Sequence, residues 1–349
     1  MRLKKYLSCL CIPLILLCSG CQQQAEKSEQ VLCSRDIFAM DTYMNLKIYC
    51  DDSSNGQEAL QAGENLIQDL ENKFSVTNLN SDISAINQSA GTPVQVSYDT
   101  INLLETALTI GNASNGALDI SIYPVLKEWG FTTQDYKIPD NIILENLLQH
   151  VDYTQIFIEN NLVQIPEEFQ IDVGSLAKGY TSDKLISLFQ EYGAESAVIN
   201  LGGNVQTLGA KPDGSFWSIA VVNPFSSSEN MCILQIADKA VITSGNYERY
   251  FVGEDGNIYW HIIDPTDGYP ANNGLISVTI IGESGLVCDA LSTAIFIMGT
   301  EQAISYWKTE NNFDMILVTD TGKILITETI ADNFQNISSL PVEIISNHN

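Results

Sequence analysis

The sequence predicts an α+β fold, in which one large domain contains a mostly antiparallel sheet flanked by helices. A chain of 349 residues is also long enough to divide into two lobes. Strand-like segments occur in runs broken by few helical patterns, which favours α+β over alternating βαβ units. Residues 320–322 (DTG) separate two apolar segments, as in a β-hairpin. Neither G-x-G-x-x-G nor G-x-x-x-x-G-K-[ST] occurs, so the Rossmann and P-loop folds are unsupported.

Hydrophobic periodicity predicts the individual elements. Residues 43–49 alternate apolar and polar side chains, which indicates a strand, whereas 58–74 and 100–110 have apolar residues at helical spacing. We expect another amphipathic helix after Lys178, ending before Gly193. The remaining strand-like segments are residues 197–201, 216–222, 240–243, 247–252, 258–263, 313–318 and 323–327.

The N-terminus has the pattern of an export signal. Basic residues precede the short apolar segment 10–17, and small residues lie just before Cys21. This resembles a lipoprotein processing site, so we expect residues 1–20 to be the signal peptide and Cys21 to be lipidated. An ordinary cleavable signal is the alternative. The apolar segment is too short for a stable transmembrane helix.

The residues that follow predict the organisation of the exported protein. Residues 21–32 are mostly polar, which favours a flexible tether, and 33–345 would form the folded domain. The predicted location is the extracytoplasmic face of the cell membrane, with a lipid anchor holding the domain to the membrane.

The charge of the chain restricts its ligands. The formal net charge of −27 argues against nucleic-acid binding, because phosphate contacts require a basic surface. An anionic ligand that enters so acidic a protein needs local positive charge. Lys178 together with a divalent cation would provide it.

Residues 172–180 (DVGSLAKGY) place Asp172 and Lys178 six positions apart around small residues, directly before an amphipathic segment. A small-residue turn that leads into a helix presents free backbone N–H groups to a phosphate. The alternatives are an ordinary strand-to-helix turn, an Asp172 carboxylate bonded to local backbone, and a surface ion pair for Lys178.

Asp289 and Thr293 begin an apolar segment and are four residues apart. On a helix they would share one face near its N-terminus, and such oxygen donors suit Mg²⁺, which leaves coordination positions for substrate phosphates. The alternative makes Asp289 a helix cap and Thr293 a core-facing hydroxyl.

His261 is the most promising of three histidines, since His150 lies near no other motif and His348 is in the C-terminal tail. It is a candidate proton acceptor or ring-stacking ligand contact, and a core histidine is the alternative. Asp264-Pro265, followed by a glycine turn, is expected to shape the loop.

Taken together and in this order, the motifs resemble the ApbE family of FAD:protein FMN transferases. The resemblance covers nearly all of the chain after the tether. Its elements are residues 38–42 (FAMDT), 74–75 (FS) with Ser81, Ile83, Ile86 and Asn87, 116–121 (GALDIS), Pro124 with 129–131 (WGF), 172–179, 200–204 (NLGGN), 243–245 (TSG), 261–265 (HIIDP) and 289–293 (DALST). The chain departs from the family at Asp41, where Gly is common, and at Leu118, where Phe is frequent.

The resemblance implies Mg²⁺-dependent transfer of the FMN moiety of FAD to a threonine hydroxyl of an acceptor protein, with release of AMP. The acceptor would be an extracytoplasmic redox protein with a short Asp-led flavinylation motif ending in Ala-Thr. An FAD pyrophosphatase that gives FMN and AMP, and a non-enzymatic flavin-binding lipoprotein, are the alternatives. The residues implied are catalytic His261 and Asp289; Met40, Ala117, Leu118, Asp119, Asp172, Lys178, His261 and Ile262 at FAD; and Asp289, Thr293 and an oxygen of Ser175 at Mg²⁺.

Four cysteines lie beyond the tether, without C-x-x-C spacing. Cys232 and Cys288 lie in apolar segments and are expected to be buried thiols. Cys33 and Cys50 could bridge in an oxidising compartment, but their sequence spacing does not give their distance.

Overall fold

A computed structural model describes residues 30–347 of the chain. The predicted signal peptide, Cys21, most of the predicted tether, His348 and residue 349 lie outside these residues. The helices are α1 (Ser53–Phe74), α2 (Asp82–Asn87), α3 (Tyr98–Ala113), α4 (Tyr123–Trp129), α5 (Asn141–Leu148), α6 (Gly174–Glu191) and α7 (Gly285–Glu310). The strands are β1 (Val31–Ala39), β2 (Thr42–Cys50), β3 (Val94–Gln95), β4 (Phe157–Glu159), β5 (Leu162–Gln164), β6 (Ser196–Leu201), β7 (Asn204–Leu208), β8 (Trp217–Asn223), β9 (Ser226–Ile236), β10 (Ala240–Gly245), β11 (Tyr250–Val252), β12 (Ile258–Trp260), β13 (Leu275–Gly282), β14 (Asp314–Thr319), β15 (Ile324–Thr327), β16 (Phe334–Asn336) and β17 (Val342–Ile345).

A nine-stranded sheet organises the fold, in the order β1-β2-β6-β7-β10-β13-β14-β15-β17. Every neighbouring pair in it is antiparallel except β15 and β17. Smaller sheets are formed by β16-β9-β8, by β3-β5-β4 and by the β11-β12 ribbon. The predicted α+β class and antiparallel sheet are therefore confirmed, as is the hairpin at residues 320–322, which joins β14 to β15.

The large sheet is covered on both faces, and its central strands are correspondingly apolar. Val278 and Ile280 of β13 belong to the main core, to which α7 also contributes. Ile281, the next residue, points to the opposite face, where it packs in a core shared with β8 and β9. This alternation has the period of a strand, so one short segment contributes to two cores.

Two predicted boundaries are wrong in ways that affect the site. Helix α6 begins at Gly174 rather than after Lys178, so Lys178 lies in its second turn. Helix α7 begins at Gly285, where the Ser284 hydroxyl accepts from the amide of Val287, so Asp289 is one turn inside the helix and is not its cap. Propensity did not reveal either start, because glycine is a weak helix former.

The strands predicted at 247–252 and 258–263 are also shorter than expected. Pairing is limited to three residues of each, in β11 and β12. The segments outside the ribbon turn away to form loops, which places Glu248, Arg249 and His261 at its base. In the described part of the chain, we find no helix with the length and apolarity to cross a membrane.

Candidate active site

Helices α6 and α7 cross at Gly179 and Gly285, where their backbones are in close contact. A Cβ atom on Gly179 would overlap the carbonyl oxygen of Gly285 and lie 2.6 Å from the Cβ of Asp289. A Cβ on Gly285 would in turn overlap the Ser182 hydroxyl. Only glycine permits this approach, which brings the first turn of α7 against the second turn of α6.

The crossing holds Asp289 in a fixed position. Its Oδ2 accepts a hydrogen bond from the Gly179 amide at 2.8 Å, and its Oδ1 accepts from Asn204 Nδ2 at 3.0 Å. The side chain is only 4% exposed. Burial raises the pKa of this carboxyl, while the charge of Lys178 and the two hydrogen bonds oppose the rise. Asp289 is thus a buried carboxylate held by neutral donors and close to a cation.

Asp183 of α6 fixes the beginning of α7 from outside that helix. Its two oxygens accept from the amides of Gly285, at 2.6 Å, and Leu286, at 3.0 Å, and from the Ser284 hydroxyl at 2.8 Å. Gln206 also donates to it. Asp183 was not predicted from the sequence, because a cap supplied by another helix has no local sequence pattern.

Asp172 lies just before α6 and is half-buried. Its Oδ1 accepts from the Gly174 amide at 2.9 Å, so the predicted alternative of a turn carboxylate is present in the structure. Its own amide donates to the carbonyl of Ile120, which joins this turn to the segment after Asp119. Burial raises the pKa of Asp172, and the nearby charges of Arg249 and Lys178 lower it.

His261 is held through one of its two ring nitrogens. Its backbone amide donates to the Arg249 carbonyl at 3.1 Å, and its Nδ1 lies 3.3 Å from the same oxygen. A carbonyl only accepts, so Nδ1 must carry the proton and Nε2 presents a lone pair. Burial, followed by the charges of Arg249 and Lys178, lowers the pKa of His261 to about 4. The ring is therefore neutral near pH 7 and can accept a proton.

Lys178 is the common neighbour of these groups. Its charge influences the pKa values of Asp172, His261 and Asp289. Three motifs that are far apart in the sequence are therefore assembled around one ammonium group.

Glu248 also interacts with Lys178 and was missed by the sequence analysis, together with Arg249. The Glu248 side chain is exposed to solvent, although neighbouring protein groups partly desolvate it. Desolvation raises its pKa to about 7, with a further contribution from Asp289, whereas Lys178 and Arg249 oppose the rise. Glu248 and Arg249 lie three and four positions after the end of the 243–245 motif, and this proximity could have marked them as candidates.

The N-terminal hairpin contributes Met40 beside α6. Met40 and Asp41 form the β1-β2 turn with φ values of 48° and 58°. The Met40 amide donates to Glu71 Oε1 at 2.8 Å, and its sulfur lies 3.9 Å from the Thr181 hydroxyl. Two residues in the left-handed region are normal for this kind of hairpin turn, so Asp41 is tolerated where the family commonly has Gly.

Most of the other residues predicted to contact FAD form hydrogen bonds with, or pack against, other residues of the protein. Asp119 accepts from the amide and hydroxyl of Ser121 and from the Tyr153 amide. Leu118 and Ile262 are buried, and Ala117 is half-buried against the main core. Asp119 thus holds its loop in place, and a contact of these residues with flavin stays a prediction. Asp264 shapes the following turn as expected, since its Oδ1 accepts from the amide and hydroxyl of Thr266.

The donor set around Asp289 fits a hard divalent cation. Among the described residues no group of three or more His, Cys, Asp or Glu could hold a metal ion, so any site must combine a carboxylate with other oxygens. Thr293 lies one turn along α7 from Asp289, and Ser175 lies in the first turn of α6. In a regular helix the Gly179 amide would donate to the Ser175 carbonyl. Here it donates to Asp289. One carboxylate with hydroxyl and carbonyl oxygens is a ligand set typical of Mg²⁺.

Comparison with known proteins identifies the family of the chain. The model of the ApbE family matches residues 40–317. The chain is similar to the FAD:protein FMN transferase of Klebsiella pneumoniae, with 30% identity over 84% of this chain and 91% of that protein. It is also 30% identical to the enzyme of that name from Vibrio cholerae, over 88% of this chain and 92% of that one.

Solved structures agree with the fold. The crystal structure of the ApbE protein from Thermotoga maritima has a TM-score of 0.82 and 29% identity, and covers 87% of this chain and 99% of that one. The flavin transferase ApbE from Vibrio cholerae has a TM-score of 0.79 and 25% identity, and covers 87% of this chain and 100% of that one. The fold and site therefore define a flavin transferase-like α+β protein. This chain belongs to the ApbE family.

Proposed function

We propose that this protein is an FAD:protein FMN transferase that joins the FMN moiety of FAD to a threonine hydroxyl of an acceptor protein. The family membership and the names of its relatives support this activity. The structural observation behind the assignment is the α6–α7 crossing, where the Gly179 amide donates to Asp289 and so joins the 172–179 and 289–293 motifs.

In the proposed reaction, the threonine oxygen attacks the FMN-side phosphorus of FAD. An O–P bond forms to threonine, the P–O bond to AMP breaks, and AMP leaves. The threonine proton passes to Nε2 of His261, which is free to accept it because Nδ1 donates to the Arg249 carbonyl. Lys178 offsets negative charge at the phosphates, because phosphoryl transfer relies mainly on positioning and charge neutralisation.

We further propose that the transfer depends on Mg²⁺, held by Asp289, Thr293 and an oxygen of Ser175. When bound, the ion would neutralise charge on the diphosphate and on the departing AMP. The role of the chain is to fix the ligands: Gly179 and Asn204 orient the Asp289 carboxylate, and the glycine crossing sets its distance from the first turn of α6.

The experiment combines purified protein, FAD, Mg²⁺ and an acceptor domain with a single candidate threonine. In-gel flavin fluorescence and a mass increase of one FMN on that threonine are expected. An acceptor with Thr→Val is the matched control, because it removes only the nucleophile. Rapid release of FMN and AMP with no adduct would instead identify an FAD pyrophosphatase.

We also propose that the protein acts at the extracytoplasmic face of the membrane, on an extracytoplasmic redox protein. The basic and apolar N-terminus and Cys21 support this. Cys21→Ser is expected to abolish lipid incorporation and to release the domain from the membrane fraction. Unchanged membrane association of this variant would contradict the anchor.

A further inference from the structure

Two of the four cysteines in the described part of the chain lie side by side in the N-terminal hairpin. Cys33 of β1 pairs in register with Ile48, and Cys50 of β2 pairs with Val31. Cys33 and Cys50 are therefore diagonal neighbours on one face of the hairpin. Both are free thiols, 3% and 5% exposed respectively.

Gly56 of α1 leaves the space in which the two sulfurs meet. A Cβ on Gly56 would lie 2.6 Å from the Cys33 sulfur and 3.3 Å from the Cys50 sulfur. The sulfurs cannot be farther apart than the sum of these two distances. Both sulfurs therefore lie beneath the first turn of α1, where Gly56 has no side chain to fill the space beside them, and the Cys33 thiol also lies 3.9 Å from the Ser53 carbonyl oxygen.

We propose that Cys33 and Cys50 are a modification site, at which the thiols form a reversible disulfide that joins β1 to β2. A thiolate of the pair attacks a small disulfide such as oxidised glutathione, forms a mixed disulfide and releases one thiol. The second cysteine then displaces the other glutathione. Two electrons and two protons pass from the cysteines to the glutathione, which leaves as two thiols.

The surroundings determine when this bond forms. Burial, with the proximity of Cys33, Asp51 and Asp52, raises the pKa of Cys50, so thiolate is scarce in the folded protein. Because both thiols are also buried in the folded protein, the bridge forms as the hairpin closes during folding.

The bridge would hold β1, the strand that follows the N-terminal segment, to β2. β1 is an edge strand, held in that sheet by β2 alone. The same hairpin places Met40 beside α6. Oxidation would thus keep β1 paired when the N-terminal segment is pulled or when the edge frays.

Tryptic peptide mapping tests the proposal on the full chain. Cleavage after Lys27, Arg35, Lys47 and Lys73 separates the two cysteines into peptides 28–35 and 48–73. After refolding with reduced and oxidised glutathione and alkylation of remaining thiols, we expect these two peptides to be linked and dithiothreitol to release them. The thermal midpoint of the oxidised protein should be several degrees higher, because the cross-link restricts the unfolded chain.

Two variants provide the controls. Cys33→Ser should abolish both the linked peptides and the dithiothreitol-dependent shift, whereas Cys232→Ser should retain both. If Cys33→Ser does not fold, the wild-type peptide map decides alone. Separate alkylation of Cys33 and Cys50 after oxidation, or links to Cys232 or Cys288, would overturn the proposal.

Discussion

Replacing Gly179 by alanine tests whether the α6–α7 crossing positions the site. The added methyl would overlap the Gly285 carbonyl and lie 2.6 Å from the Asp289 Cβ, so the helices must separate. Overpacking costs roughly 1–3 kcal/mol, and alanine recovers about 1 kcal/mol of helix propensity, so the net loss of stability is about 0–2 kcal/mol. The protein should therefore still fold.

Activity should fall much further than stability. The displaced helix would weaken the bond from the Gly179 amide to Asp289 and move the carboxylate away from Ser175. A displacement of about 1 Å can reduce a rate by on the order of 100-fold. We expect an FMN-transfer rate reduced by about that factor at limiting Mg²⁺, measured beside a thermal melt.

Gly63→Ala is the matched control, since Gly63 is a helical glycine of α1 whose added methyl would meet only side-chain atoms of Leu185 and Phe189, at 3.2 Å or more. This variant should melt within a few degrees of the wild type and transfer FMN normally. Wild-type transfer by a folded Gly179→Ala protein at limiting Mg²⁺ would show that the crossing does not position Asp289.

Three further predictions concern charged groups. Asp289→Asn should keep a near-normal melting temperature, because the amide oxygen still accepts from Gly179. Its rate of FMN transfer should fall by orders of magnitude. Near-normal transfer at limiting Mg²⁺ would place the metal elsewhere. Asp183→Ala should destabilise the protein by about 2–3 kcal/mol in urea denaturation, because buried amides of α7 lose their acceptor; an unchanged midpoint would refute this capping role. The pKa of Glu248 is raised to about 7, so this side chain gains its negative charge as pH rises through 7. The apparent affinity of the protein for Mg²⁺ should therefore increase from pH 6 to pH 8. An equal increase in Glu248→Gln would assign the pH dependence to another group.

The parts of the fold with local signals could be predicted from the sequence. The hairpin at residues 320–322 was predicted because a turn signal separates two apolar strands, and α1 because its buried residues recur at helical spacing. The starts of α6 and α7 could not be predicted, since both are glycines, which are weak helix formers. Gly285 also serves a contact between the helices that only the folded chain shows.

The residues of the candidate site also divide into those with a local sequence signal and those without one. Asp172, Lys178, His261 and Asp289 were found because they lie in recognisable motifs. Asp183 was missed because its partners on α7 are about a hundred residues further along the chain. Glu248 was missed because its raised pKa results from desolvation by groups that only the fold brings near it.

The position of the first hairpin in the sheet has a consequence for synthesis. β1 and β2 are made first, but the sheet partner of β2 is β6, where Met44 pairs with Leu201. Until β6 is made, one edge of β2 is unpaired, and both this edge and the apolar face of the hairpin would promote aggregation if left uncovered. Helix α1 follows immediately and packs on this face through Leu60 and Ile67. A nascent chain can therefore shield its first strands with nearby residues while the rest of the sheet is still being translated.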